Sequence, residues 1–141
     1  EWLDSMLCPD IVYPVPVRHI VSRAFGSGFV KDSFHLNENY GSLRSKVARN
    51  ETGFAWAEDP PSRARHFVSN IRVYEHEQAN CLRVKSNLLV YRTRQEQTTP
   101  SFFSGERQDV LVEIEGKLKL LERIVYLDAT VIASHNLAIF F

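Results

Sequence analysis

The feature that most constrains this chain is a pair of prolines that hands over directly to alternating sequence. Pro60-Pro61 lacks two backbone N–H donors and has φ fixed at both residues, so it reads as a rigid, extended connection that ends whatever precedes it. From His66 onward apolar and polar residues alternate. His66–Tyr74 carries Phe67, Ile71 and Val73 on one face with Asn70 and Arg72 on the other. Cys81–Arg94 repeats the pattern, with Leu82, Val84, Leu88 and Val90 against Arg83, Lys85 and Asn87. Short connections at Glu75–Asn80, Gln95–Pro100 and Glu115-Gly116 leave no room for crossover helices. The second half is therefore expected to form one antiparallel sheet.

The first half is different. Trp2–Leu7 reads as a helical segment stopped by Pro9-Asp10. Ile11–Tyr13 and Val15–Val21 read as short strands broken by Pro14 and Pro16, which suits a bend or a sheet edge. Gly26 and Gly28 mark a flexible connection. Leu36–Arg49 places Tyr40, Leu43 and Val47 on one helical stripe that Gly53 ends. Helices first and sheet afterwards give an α+β chain. Its 141 residues suit one domain, spanning 1–141.

Charge narrows the function. Lysine plus arginine is 17 and aspartate plus glutamate is 17, so no basic excess exists to drive binding to phosphate backbones. No apolar run reaches the roughly 18 residues of a membrane span. Nucleic acid and membrane are thus excluded as expected partners, and a cytoplasmic location is expected. Cys8 and Cys81 are too few and too far apart to staple a fold, and are read as reduced thiols.

No metal or cofactor pattern appears. His19, His35, His66, His76 and His135 form no short repeated spacing with one another or with cysteine, as an iron–sulfur cluster or a two-histidine, one-carboxylate iron would need. Gly26-Ser27-Gly28 lacks the third glycine of a dinucleotide loop. No catalytic, cofactor-binding or metal-binding residue is assigned. His66 with Asp59 or Asp10 is the one acid–base pair worth weighing, with Tyr13 as a further donor. The competing reading makes His66 a structural histidine at the start of a strand. Arg63 and Arg65 could clamp an anion, or could pair with Glu58, Asp59 or a partner subunit. Arg107, Asp109, Arg123 and Asp128 in the late strands are expected on a solvent or partner face. Phe140-Phe141 is expected to be packed, since two exposed phenylalanines would invite aggregation.

The run Trp56–Asn70, WAEDPPSRARHFVSN, resembles the signature of the small (beta) subunit of bacterial aromatic-ring-hydroxylating dioxygenases. The likeness continues through Leu36–Ala55, Val84–Arg94, Phe102–Leu111 and Arg123–Phe141, in the family's order. Arg23–Phe34 matches no part of the pattern, and the family usually carries a further N-terminal helical segment before a start such as Glu1-Trp2-Leu3. The resemblance implies a cone-shaped α+β fold of the nuclear-transport-factor-2 type, a strongly curved antiparallel or mixed sheet against N-terminal helices. It implies a structural, non-catalytic role in an α3β3 assembly, the chain itself forming a trimer. The large alpha subunit would hold a Rieske [2Fe-2S] cluster and a mononuclear Fe(II), and would receive electrons from a ferredoxin and a reductase. The complex would convert an aromatic hydrocarbon to a cis-dihydrodiol. Trp56, Glu58, Asp59, Pro60, Pro61, Ser62, Arg63, Arg65 and His66 are the expected subunit interface. The alternative is a free-standing cone-fold dehydratase or isomerase using His66 and a carboxylate.

Overall fold

The computed structural model describes residues 2–51, 60–96, 98–132 and 140–141. The elements run α1 (Trp2–Met6), β1 (Leu7–Arg18), a short 3-10 turn (Arg23–Phe25), β2 (Phe29–Asn39), α2 (Tyr40–Glu51), β3 (Arg63–Glu75), β4 (Cys81–Thr93), β5 (Ser101–Ile114) and β6 (Lys117–Leu127). The six strands form one sheet in the order β2-β1-β6-β5-β4-β3. From β3 to β6 it is the antiparallel meander that the alternation requires, and the Glu115-Gly116 hairpin closes with both residues at positive φ, 52° and 73°.

The N-terminal half corrects the sequence reading in three places. The prolines do not divide the first strand: β1 is continuous and lies between β2 and β6, parallel to β6. Its ladder to β6 is anchored at Leu7↔Leu120 and Val12↔Glu122, and Pro9, Pro14 and Pro16 fall outside those pairs. Register shifts toward β2 on either side of Pro16 absorb the missing donor there. Second, Arg23–Phe34 includes the first half of β2. Third, the helix begins at Tyr40, because Asn39 caps it. The Asn39 side-chain oxygen accepts the Ser42 N–H (3.0 Å), and the Asn39 N–H donates to the Ser42 hydroxyl (2.9 Å).

The core lies between the inner face of the sheet and the two helices. Leu3 of α1 and Leu43 of α2 pack with Leu7, Ile11, Val15, Leu88, Val90, Val125 and Leu127. Gly105 marks a close approach of β5 to β6. A Cβ there would stand 2.5 Å from the Tyr126 carbonyl oxygen, so only glycine lets β5 and β6 close up. Phe141 joins this core fully buried and meets Phe103 edge-on, with ring centroids 5.7 Å apart, as its apolarity predicts. Cys8 and Cys81 are free and buried, in a smaller cluster with Val112.

Candidate functional site

Two features stand out from an otherwise ordinary core and surface. The first is a charged cluster inside the fold. Counting along β5 from Phe103, every second residue faces inward, and this series reaches Gly105, Arg107 and Asp109. Cross-strand pairing sets Asp109 opposite Arg123, and Arg107 opposite Val125 and Ser86. The Arg123 guanidinium makes a two-pronged ion pair with Asp109, at 2.8 and 2.7 Å. Burial works against the Arg123 charge, but the Asp109 bonds outweigh it and hold its pKa above the ordinary arginine value. Arg107, only 9 % exposed, has no such support: its Nε lacks a hydrogen-bond partner. Burial, with Arg123 beside it, lowers its pKa to about 10. The Tyr13 hydroxyl, raised in pKa by burial, donates to the main-chain oxygen of Phe141, and Arg123 reaches the same oxygen at 3.4 Å.

The placement of these residues corrects an expectation. Arg107, Asp109 and Arg123 do not face solvent or a partner; of the four late-strand charges only Asp128 is exposed, where it accepts a bond from the Ser104 hydroxyl at 2.8 Å. The period-two count from Phe103 is the signal for Arg107 and Asp109, and the pairing of Asp109 with Arg123 across the β5–β6 ladder places the third.

The second feature is the outer face of β3, β4 and β5. Pairing puts Arg65, Tyr91 and Phe102 in one row and Phe67, Leu89 and Ser104 in the next. Phe67 is 52 % exposed and Phe102 59 %, and Tyr91 meets Phe102 edge-on at 5.5 Å. Arg63 and Arg65 line a shallow groove beside Phe67 and Tyr91. The result is an apolar, aromatic patch with two guanidinium groups on its rim.

The predicted faces of β3 are corrected here as well. Asn70 sits at φ 52°, in the left-handed region that asparagine tolerates. The register steps from Ser69↔Asn87 to Arg72↔Lys85, so two residues of β3 oppose one of β4. This bulge turns the alternation over. Phe67 shares the outer face with Leu89, whereas Val73 pairs with Val84 on the inner face.

The expected interface run is only partly described: Trp56, Glu58 and Asp59 lie outside the described residues. Pro60 and Pro61 are exposed. Ser62 is held to the sheet by the buried Arg92, whose Nε donates to its hydroxyl at 3.1 Å. Arg63 and Arg65 point to the outer groove, but His66 does not join them, since it pairs with Val90 on the inner face. Its Nε2 lies 2.6 Å from the Phe140 carbonyl oxygen. The acid–base pair does not form with Asp10, which is exposed on β1, and Tyr13 is engaged elsewhere. Asp59 lies outside the described residues.

Among the described residues no group of three or more His, Cys, Asp and Glu side chains stands close enough to hold a metal ion. No described helix is long and apolar enough to cross a membrane. A second groove runs over Pro14, Pro16, Phe34 and Tyr126, where Arg18 stacks on Phe29 at 4.5 Å and donates to the Leu127 carbonyl.

Comparison with solved structures identifies the architecture. A naphthalene 1,2-dioxygenase structure with indole bound contains a chain that superposes with a TM-score of 0.85 at 24 % identity, covering 99 % of this chain and 74 % of that one. The beta subunit of benzoate 1,2-dioxygenase from Burkholderia mallei follows with a TM-score of 0.68 at 21 % identity, over 90 % of this chain and 75 % of that one. A putative scytalone dehydratase from Novosphingobium aromaticivorans shares the fold at TM-score 0.59 and 14 % identity, over 93 % and 72 %. These likenesses establish the α+β cone fold with a curved, mixed six-stranded sheet. Residues 1–134 match the sequence family described as ring hydroxylating beta subunit, and the chain belongs to that family.

Proposed function

We propose that this chain is the non-catalytic, structural beta subunit of a dioxygenase that converts an aromatic hydrocarbon to a cis-dihydrodiol. Its partner is a large alpha subunit holding a Rieske [2Fe-2S] cluster and a mononuclear Fe(II), fed by a ferredoxin and a reductase. Three copies of each form an α3β3 particle in the cytoplasm. The observation that carries this reading is the outer face of β3–β5, where Phe67, Leu89, Tyr91 and Phe102 lie uncovered beside Arg63 and Arg65. Large apolar patches rimmed by charge mark protein interfaces. The signature run Trp56–His66 leads into that face, and Trp56, Glu58, Asp59, Pro60, Pro61, Ser62, Arg63 and Arg65 are its proposed contact residues; His66 supports it from the inner side.

The inner face supports a structural role. His66 is engaged by the Phe140 main chain and has no carboxylate partner among the described residues, and Phe141 occupies the core beside Tyr13. A dehydratase or isomerase built on His66 finds no such support.

Co-expression with a large alpha subunit of such a dioxygenase tests the proposal. The expected outcome is a single particle of α3β3 mass with the visible absorbance of an iron–sulfur cluster, while the beta chain alone is colourless and iron-free. A beta chain that dehydrates or isomerises substrate alone, or that carries stoichiometric iron, would overturn it.

A further inference from the structure

The most exposed of the large apolar side chains described lie around the loop joining β1 to β2, not on the β3–β5 face. Ile20 is 92 % exposed and Phe25 83 %, and Val131, just past β6, is 76 % exposed. Ile20 and Val131 line one groove, and Phe25 stands between Arg23 and Gly26 of its rim. Single exposed apolar residues are ordinary, whereas several gathered at one groove mark a contact.

The loop is fastened in place. The His19 N–H donates to the Gly28 carbonyl at 2.8 Å, and the Phe25 N–H to the Ser22 carbonyl at 2.9 Å. At its base Arg18 is bonded to the Leu127 carbonyl and stacked on Phe29, whose ring lies 4.8 Å from that of Tyr126. Apolar side chains held out on a pre-shaped loop cost little ordering when a partner seats them.

The tip also continues the outer face. Ser104 closes the row Phe67–Leu89–Ser104, and Asp128 is bonded to it by main chain at 2.9 Å and side chain at 2.8 Å. Asp128 in turn lines the groove with Ile20 and Val131. Arg23 at the tip repeats the positive sign of Arg63 and Arg65 at the outer groove, with Asp128 between them already engaged by Ser104. A two-fold contact between copies would set these arginines against one another. The surface suits a different chain, one whose apolar hollow is edged by carboxylates, and family membership implies such a second chain, the large alpha subunit.

We propose that the β1–β2 tip is a second docking point for the large alpha subunit, seating Ile20, Phe25 and Val131 in an apolar hollow with Arg23 against its carboxylates. The inference rests on the beta-subunit reading above but not on Arg63 or Arg65, so the two contacts can fail separately.

The test titrates the full chain against a large alpha subunit of such a dioxygenase, comparing the unmodified chain with the double variant Ile20→Ser, Phe25→Ser. Both side chains are exposed, so the melting temperature and particle mass of the isolated chain are expected to stay unchanged. Affinity for the large subunit is expected to fall at least about tenfold, as for apolar anchors lost from an interface. Arg23→Glu is expected to weaken it at least about threefold, and more at low salt than at high. Should the double variant melt lower, Arg23→Glu decides alone. Undiminished affinity in the folded double variant would overturn the tip contact and leave the β3–β5 face standing. A lowered particle mass of the isolated double variant would assign the tip to a second copy instead. Binding of the unmodified chain, but not the variant, to phosphatidylglycerol vesicles would assign it to a lipid surface, and either result overturns the proposal. No association of the unmodified chain with a large subunit would overturn the beta-subunit reading and this contact together.

Discussion

Strands β3 and β5 are almost the same length, 13 and 14 residues, and both alternate in sequence, yet they are treated oppositely by the fold. β5 is flanked by β4 and β6, and its inward residues Phe103, Gly105, Arg107 and Asp109 are all buried. β3 lies at the sheet edge, and twelve of its thirteen residues are exposed, Phe67, Val68, Ile71 and Val73 among them. An edge strand carrying that much apolar surface is an aggregation hazard unless something covers it. Alternation therefore says that a strand is two-faced, but not whether its apolar face has been used within the chain.

The contrast can be broken or sharpened by mutation. The largest expected effects are inside. Asp109→Asn strips Arg123 of its counter-charge, and breaking a buried pair typically costs about 3–5 kcal/mol. Chemical denaturation of the isolated chain is expected to show a loss on that scale. A midpoint within error of the unmodified chain would mean that the pair is hydrated.

Arg63→Glu, on the outer groove, is expected to leave folding of the isolated chain unchanged but to weaken assembly with the large subunit by about 2–5 kcal/mol, as for a desolvated interface charge. Gel filtration of mixed subunits reads this directly, and full complex formation would move the contact elsewhere. Arg107→Met replaces an unpaired buried charge with an apolar side chain and is expected to stabilise the isolated chain by about 1–3 kcal/mol. A lower melting temperature would show that Arg107 has a partner in solution.

His66→Ala gives up one hydrogen bond to Phe140, worth about 0.5–1.5 kcal/mol. Turnover per intact particle is expected to stay within a few-fold of normal. A loss of about a hundredfold at full assembly is what a missing general base produces.

The smallest effect lies away from both faces, at the Glu38–Lys46 ion pair joining β2 to α2. Burial pushes the Glu38 carboxyl up, but Lys46 and the Ser42 hydroxyl outweigh it and hold its pKa below the ordinary value of 4.5. A depressed carboxyl contributes stability that is present above the unfolded pKa and fades as pH falls through the folded one. Lys46→Met is thus expected to cost under about 1 kcal/mol at neutral pH. Melting curves of the two proteins are expected to converge in acid, and a gap constant with pH would rule out the ion pair as its source.

Much of the fold can be read from local sequence, because hairpins and helices are local. Glu115-Gly116 supplies the positive φ angles of its turn, Asn39 and Ser42 cap α2, and Phe141 is too apolar to be left outside. The misread features are mostly long-range, apart from the start of α2, which the local Asn39 cap moves to Tyr40. Nothing near Pro14 and Pro16 reveals that β1 will lie parallel to β6, more than a hundred residues later. Arg107 and Asp109 have the same period-two spacing as solvent-facing charges, and only their phase with Phe103 gives them away. Family membership was legible along most of the chain, whereas the separation of His66 from Arg63 and Arg65 needed the pairing with β4.

The bulge at Asn70 has a consequence for how this strand can change over evolutionary time. Because the extra residue reverses the sequence alternation, pairing all thirteen residues without a bulge would send Arg72 and Tyr74 inward and Val73 outward. Deleting Asn70, by contrast, would leave Ile71 alone opposite Ser86 and keep Arg72 opposite Lys85 and Val73 opposite Val84. The bulge is thus a phase corrector, taking up one residue of β3 without moving the faces on either side of it. Such a chain could gain or lose a residue at this spot over its history while keeping both its core and its outer groove.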